Sequence, residues 1–163
     1  MNQNNIIKEK KMSFEDKLKE LGIELNSPPS PVANYIPVQQ TGNLIYLSGQ
    51  GPRDKSGNFI TGKVGEDITA DEAYDLAKNT AINLISVMKS YLGSLDRIEK
   101  IVKVLGMVNS TSDFKDHPKV INGCSDFFVE VFGEKGRHAR SAVGMGSLPN
   151  NMAVEIEIIV EVK

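Results

Sequence analysis

The sequence predicts an α+β fold in which one mixed β-sheet carries two main helices on one face. Some segments alternate apolar and polar residues, which is the period of a half-buried strand, and two longer segments repeat apolar residues at helical spacing. After a short N-terminal helix, these segments follow the order β-β-α-β-α-β-β. Helices that connect the strands of one sheet can bury their apolar stripes against that sheet, so a two-layer domain follows.

The N-terminal third contains a short helix, a connector and two strands. Ser13 can cap an amphipathic helix over residues 13–21. Several prolines between residues 26 and 37 predict an extended connector, because proline has no backbone N–H to donate. Two strands follow around residues 38–40 and 44–48, and a Gly-Asn turn joins them.

The two main helices have clear start signals. Thr69 and Glu72 predict a capping box at the start of the first. Asp116 or His117 is expected to cap the second. The predicted inner stripe of the second helix consists of Ile121, Cys124, Phe128, Val131 and Phe132. Between the helices, residues 98–108 are rich in β-branched side chains and predict a buried strand.

The C-terminal residues predict two strands joined by a tight turn at residues 148–151, Leu-Pro-Asn-Asn. Proline fixes one dihedral angle there, and asparagine tolerates left-handed backbone. Such a hairpin would place Arg140, at the start of one strand, near Glu155, at the start of its partner. An arginine binds carboxylates through two parallel hydrogen bonds, and a glutamate can transfer protons or position water. The pair therefore predicts a site for a small anionic substrate.

Charge and composition limit the classes of partner and compartment. The net charge is −2 at pH 7, so no global basic field attracts nucleic acid. The single cysteine, Cys124, excludes an intrachain disulfide and favours a reducing, cytoplasmic compartment. No apolar run approaches the ~20 residues that span a bilayer. Residues 1–12 predict a disordered polar extension, and residues 13–163 predict one domain.

The last strand has a mixed outer face. Its inner face is apolar throughout, whereas the outer face carries Glu155, Glu157, Ile159 and Glu161. Two interpretations of that face remain open: the carboxylates are solvated, or the face forms a subunit interface with polar pockets at its edge.

Three blocks of this sequence resemble the RidA/YjgF family of small trimeric proteins, over about residues 26–163. The blocks are Tyr35 with residues 42–50 (GNLIYLSGQ), the helix-strand-helix middle, and residues 139–141 (ARS) with 148–149 (LP) and 154–157 (VEIE). The resemblance implies a chorismate-mutase-like fold, a homotrimer and ligand clefts between subunits. It also implies hydrolysis of reactive enamine and imine intermediates to 2-oxo acids and ammonia.

The resemblance also implies roles for individual positions. Arg140 matches the arginine that grips the substrate carboxylate, and Glu155 matches the glutamate associated with the hydrolytic water. The substrate-binding positions that it implies are Tyr35, Ser48, Gly49, Asn122 and Ala142. Alanine stands at position 142 where many members have cysteine, and residues 33–34 are Ala-Asn instead of the usual Gly-Pro. These differences are typical of a divergent subgroup.

Three functional hypotheses follow. The first is an enamine/imine deaminase, which needs no metal or cofactor because an imine is already electrophilic. Its partners would be a small carboxylate-bearing imine or 2-oxo acid and further copies of the chain. The second is a non-catalytic binding protein for small carboxylates. The third is an endoribonuclease, for which only the cluster of Arg137, His138 and Arg140 offers acid-base groups and a phosphate clamp; the acidic chain disfavours it.

Overall fold

The computed structural model describes residues 12–28 and 33–163 of the chain. Except for Met12, the extension predicted over residues 1–12 lies outside the described residues. Within those residues, five strands form one mixed sheet accompanied by three α-helices, so the predicted α+β class and order of elements are confirmed. No helix in this described part of the chain is long and apolar enough to cross a membrane.

The helices begin close to their predicted positions. They are α1 (Phe14–Glu20), α2 (Ala70–Leu92) and α3 (His117–Phe132). The capping box of α2 is confirmed, because Thr69 Oγ1 accepts from the Glu72 N–H at 3.2 Å and Glu72 Oε2 accepts from the Thr69 N–H at 2.8 Å. The predicted cap position of α3 is confirmed at Asp116, but its side chain makes no capping hydrogen bond. The His117 ring contacts Ser110 instead.

The sheet combines antiparallel and parallel pairing. Its strands are β1 (Val38–Thr41), β2 (Leu44–Gln50), β3 (Ile98–Asn109), β4 (Ala139–Met145) and β5 (Val154–Val162). Their spatial order is β1-β2-β5-β3-β4. Only β3 and β4 run parallel, because α3 returns the chain to the end of the sheet at which β3 began.

The predicted C-terminal hairpin is wrong, because β4 and β5 lie on either side of β3 and do not pair. Residues 146–153 carry the chain past the end of β3. Within this connection Asn150 and Asn151 have φ of 54° and 55°, so the predicted left-handed residues are present. This connection passes the end of β3 and places β5 on the other side of that strand, whereas a hairpin turn would have placed β5 next to β4. Alternation along a strand determines which residues share a face, and it does not determine which strand is the neighbour.

The core lies between one face of the sheet and the two longer helices. The residues that β5 buries are Val154, Ile156, Ile158, Val160 and Val162. The predicted stripe of α3 is buried as well, including Cys124. Two glycines allow close packing: a Cβ at Gly106 would overlap the Ile121 side chain, and a Cβ at Gly123 would overlap the Tyr74 carbonyl on α2. The opposite face of the sheet is free of helices in the described chain.

Candidate functional site

Arg140 lies in β4 on the face of the sheet that α3 covers. It is paired in register with Val104 of β3, which is a buried core residue. Its Nη1 donates to Asn122 Oδ1 at 2.8 Å and to Ser125 Oγ at 3.1 Å, both on α3. Among the described residues, no carboxylate forms an ion pair with this guanidinium. The Arg140 charge is therefore positioned by uncharged acceptors and remains available to an anionic ligand.

His138 extends this arrangement into a chain of hydrogen bonds behind Arg140. Its Nδ1 lies 2.7 Å from the Gly136 carbonyl oxygen, and its Nε2 lies 2.9 Å from Ser125 Oγ. A carbonyl only accepts, so Nδ1 carries the proton. A guanidinium only donates, so Ser125 Oγ accepts from Arg140 and donates its own hydrogen to His138 Nε2. One uncharged tautomer of His138 therefore satisfies the whole chain.

The surroundings of His138 favour that uncharged form. Burial is the main cause that lowers the pKa of His138, and the nearby Arg140 charge lowers it further, whereas the hydrogen bond to Gly136 opposes both. A protonated ring would carry a hydrogen on Nε2, where Ser125 donates, and would repel the guanidinium. The imidazole thus acts as an acceptor that orients Ser125, and through it Arg140.

Glu155 lies in β5 on the opposite, helix-free face. It pairs with Met107 of β3, whereas the residues before and after it, Val154 and Ile156, are buried in the core. Burial raises the pKa of the Glu155 carboxyl, and the negative charge of Glu157 raises it further. A carboxyl in this condition exchanges its proton closer to neutral pH than an exposed glutamate does.

An irregularity in β2 lies directly against Glu155. The pairing of β2 with β5 shifts register between Leu47 and Gln50. A Cβ at Gly49 would overlap the Glu155 carboxylate, so only glycine fits at this position with the carboxylate in place. The structure thus places two of the predicted site residues, Gly49 and Glu155, next to each other.

Ser48 connects the same irregularity to the segment that contains Tyr35. Ser48 Oγ donates to the Ile36 carbonyl at 2.8 Å, and the Ser48 N–H donates to the Pro37 carbonyl at 3.0 Å. Tyr35 itself is exposed. Its ring is therefore presented to solvent close to the β2 irregularity.

The predicted site residues form two groups. We call Arg140, Asn122 and Ala142 the arginine half-site, and Glu155, Gly49, Ser48 and Tyr35 the glutamate half-site. Val104 and Met107 are three residues apart on β3, so their in-register neighbours, Arg140 and Glu155, project from opposite faces of the sheet. The two side chains do not meet within one chain. The adjacency expected from a hairpin is corrected, because β3 lies between their strands.

Sequence reasoning missed Ser125 as a site residue. It lies three positions after Asn122 on α3, and residues three apart share a helix face. That spacing was the signal available in the sequence. His138 was considered as an acid-base group, and the structure gives it the hydrogen-bonding position described above.

Comparison with known proteins identifies the family. The family model described as "YjgF/chorismate_mutase-like, putative endoribonuclease" matches residues 15–162. This chain belongs to the YjgF/chorismate mutase-like family. The resemblance stated from the sequence is therefore confirmed. The match covers every described helix and strand except Phe14, the first residue of α1.

Relatives within the family carry different descriptions. Protein TCP17 of Trypanosoma cruzi is 40% identical over 145 residues, which cover 88% of this chain and 91% of TCP17. A 2-iminobutanoate/2-iminopropanoate deaminase of Dermatophagoides farinae is 30% identical over 136 residues, which cover 83% of this chain and 91% of the deaminase. The crystal structure of Atu1372 from Agrobacterium tumefaciens, a protein of unknown function, is similar with a TM-score of 0.85 and 43% identity, covering 92% of each chain. The family thus includes an imine deaminase.

Proposed function

We propose that this protein hydrolyses small carboxylate-bearing enamines and imines to 2-oxo acids and ammonia. Membership of a family that includes a 2-iminobutanoate/2-iminopropanoate deaminase supports this proposal. The single observation that carries it is the guanidinium of Arg140, which is held by Asn122 and Ser125 and has no carboxylate partner in the described chain. A cation built into a structure in this way is suited to an anionic substrate.

The free edge of the guanidinium provides the substrate clamp. Both hydrogen bonds given above come from Nη1. The Nε–H and one Nη2–H of Arg140 form a pair of parallel donors that matches the two oxygens of a carboxylate. We infer that the substrate carboxylate binds this edge, which fixes the imine carbon relative to Arg140.

Glu155 is the proposed proton-transfer group. A water oxygen bonds to the imine carbon while Glu155 accepts one water proton and passes it to the imine nitrogen, giving a carbinolamine. Glu155 then accepts the proton of the carbinolamine hydroxyl and delivers it to nitrogen, the C–N bond breaks with release of ammonia, and the hydroxyl oxygen becomes the carbonyl oxygen of the 2-oxo acid. Overall, one imine and one water give one 2-oxo acid and one ammonia, with no electron transfer. The raised pKa of Glu155 suits both steps.

We further propose that each active site is shared between two chains of a homotrimer. Arg140 and Glu155 project from opposite faces of the sheet, so only residues from two copies can act on one substrate. The helix-free face, with Tyr46 exposed and Ile159 beside the carboxylates, supports an interface there.

The decisive assay measures ammonia released from freshly generated 2-aminoacrylate by the wild-type protein. Arg140→Ala and Glu155→Gln are each expected to be inactive. Co-expressing the two inactive chains in equal amounts should restore about a quarter of the wild-type rate, because one cleft in four would combine an intact arginine with an intact glutamate. Mixtures without activity would contradict the shared site. A wild type that binds 2-oxo acids through Arg140 without turnover would replace the enzyme with a binding protein.

A further inference from the structure

A polar cavity lies at the carboxyl ends of β3 and β4, and its lining contains no residue of either half-site. It has a volume of about 670 Å³, within the range of small-molecule sites. The strand ends that border it are joined by the Ser110 N–H, which donates to the Met145 carbonyl at 3.3 Å. Its lining consists of Lys63, Ser110, Thr111, Ser112, Phe114, His117, Gly144, Met145 and Gly146. None of these residues belongs to the proposed deaminase site.

Lys63 gives this cavity a positive charge. Its ammonium donates to Asn109 Oδ1 at 3.1 Å and to the Gly146 carbonyl at 2.8 Å. Both acceptors are uncharged, and no carboxylate of the described residues forms an ion pair with this ammonium. Asp67 accepts the Lys63 backbone N–H, not its side chain. An ammonium has three hydrogens, so one donor remains for a ligand.

Ser110 and His117 form a hydrogen-bonded pair in the same lining. Ser110 Oγ lies 3.1 Å from His117 Nε2, and Ser110 as a whole residue is largely buried. Gly144 makes this pair possible, because a Cβ there would overlap His117 Nε2 and closely approach Ser110 Oγ. The Ser110–His117 pair therefore requires glycine at position 144, on the neighbouring strand β4.

The composition of the lining indicates the kind of ligand. Among the described residues, the lining has one cation, three hydroxyl side chains and an imidazole, and it has no carboxylate. Ammonium, hydroxyl and imidazole groups are the donors that bind oxyanions. Part of the lining is apolar: Phe114 packs edge-on against the His117 ring with centroids 5.3 Å apart, and Met145 is partly exposed.

We propose that this cavity binds a small organic oxyanion, whose charged group meets Lys63 and Ser110 and whose apolar part lies against Phe114 and Met145. A phosphate ester and a carboxylate share this chemistry. The proposal does not rest on the deaminase activity, since it uses none of the residues of either half-site.

The test is a titration of the full chain, ¹⁵N-labelled, with inorganic phosphate, phenyl phosphate and propanoate in turn. Each binding probe should give saturable shifts at the amides of Ser110, His117 and Gly146. Phenyl phosphate should bind several-fold more tightly than inorganic phosphate, because its ring is expected to lie against Phe114 and Met145; equal affinities would contradict the apolar part of the proposal. Stronger binding of phosphates than of propanoate identifies a phosphate ester as the ligand class, and the reverse identifies a carboxylate.

Matched variants test whether the probes bind in this cavity. Ser112 is exposed at its rim, so Ser112→Glu should weaken binding about tenfold by repulsion without disturbing the core, whereas Ser112→Gln should not. Lys63→Met should weaken binding roughly tenfold, and Lys55→Met, at an exposed lysine outside the cavity, should leave it unchanged.

Arg140→Ala separates the two sites. The titration should give the same shifts at Ser110, His117 and Gly146 in this variant, whether or not the protein is a deaminase. The proposal is overturned if no probe gives saturable shifts there, if Arg140→Ala abolishes them, or if Ser112→Glu and Ser112→Gln bind equally well.

Discussion

At the scale of single residues, the local environments determine the chemistry that each side chain can perform. His138 illustrates this, because two hydrogen bonds and burial fix it in one uncharged tautomer behind Arg140. The sequence shows that a histidine is present, but it does not show which residues form hydrogen bonds with it. Gly136 lies only two residues before His138, whereas Ser125 comes to it through the packing of α3 against β4. No spacing rule predicts a hydrogen bond that depends on the rotation of a helix.

The lowered pKa of His138 predicts a pH-dependent stability. Because the folded state disfavours the protonated ring, the unfolded chain binds more protons as the pH falls below about 6.5, and the free energy of unfolding should decrease there. The decrease should stop below the folded-state pKa. Urea unfolding between pH 7.5 and 5 measures it. His138→Gln retains an acceptor for Ser125 and should lose this part of the pH dependence; an unchanged profile would contradict the assignment.

Arg140 should not be replaceable by lysine. One ammonium cannot supply two parallel donors to a carboxylate while also bonding to Asn122 and Ser125. Loss of a charge-assisted hydrogen bond costs about 1.5–3 kcal/mol, which is roughly ten- to more than a hundredfold in affinity. Calorimetric binding of 2-oxobutanoate to Arg140→Lys measures the loss. The control is Arg137→Lys, at an exposed position whose ion pair with Glu134 is on the surface. Equal affinity in wild type and Arg140→Lys would exclude the bidentate clamp.

Glu155→Gln should lower turnover while leaving 2-oxo acid binding nearly intact, since it keeps the shape and removes the proton acceptor. In the wild type, the rate should fall as the pH drops through the raised pKa of Glu155, because the protonated carboxyl cannot accept a proton from water. A pH–rate profile of the wild type with imine substrate measures this acid limb. Glu157→Gln is the matched control. Wild-type turnover in Glu155→Gln would remove the glutamate from the mechanism.

At the scale of elements, the sequence predicts the helices and strands well and their pairing poorly. The capping box at Thr69 and the alternation along β5 act within a few residues, so they can be recognised locally. The position of β5 between β2 and β3 depends on the long connection over residues 146–153, and alternation cannot specify it. The lack of pairing information also made the predicted site wrong in one respect, because the expected proximity of Arg140 and Glu155 relied on a hairpin between β4 and β5.

The packing of α2 against α3 depends on Gly123. In an open helix position, alanine would stabilise by about 0.5–1 kcal/mol relative to glycine. Here the added Cβ would overlap the Tyr74 carbonyl, so Gly123→Ala should instead reduce the free energy of unfolding by about 1–3 kcal/mol. Urea denaturation measures it. Gly146→Ala is the control, since a Cβ there meets no atom within 4 Å. If Gly123→Ala instead increased the free energy of unfolding, α2 and α3 would have to accommodate the added methyl group without loss of packing, which would contradict the prediction.

At the scale of the whole molecule, the two half-sites explain why part of the site could not be predicted from pattern alone. Asn122 and Arg140 come together within the chain, and so do Gly49 and Glu155. The union of these two groups is a property that we assign to the assembly. The mixed outer face of β5 leaves a subunit interface open as one of two interpretations, but it does not specify which residues of two copies would meet. The proposal of a shared site therefore rests on the opposite faces of Arg140 and Glu155 together with the family resemblance.

The order of the strands also has a consequence for how the protein is made. β5 is synthesised after the other four described strands, yet it is the strand that joins β2 to β3 in the middle of the sheet. Until Val154–Val162 has been synthesised, β1–β2 and β3–β4 are two separate ribbons, each with an unsatisfied edge. The nascent chain therefore cannot complete this sheet before β5 has been synthesised. A premature stop before Val154 would release a chain with two open edges and no central strand, which is a substrate for chaperones and proteases instead of a smaller folded protein.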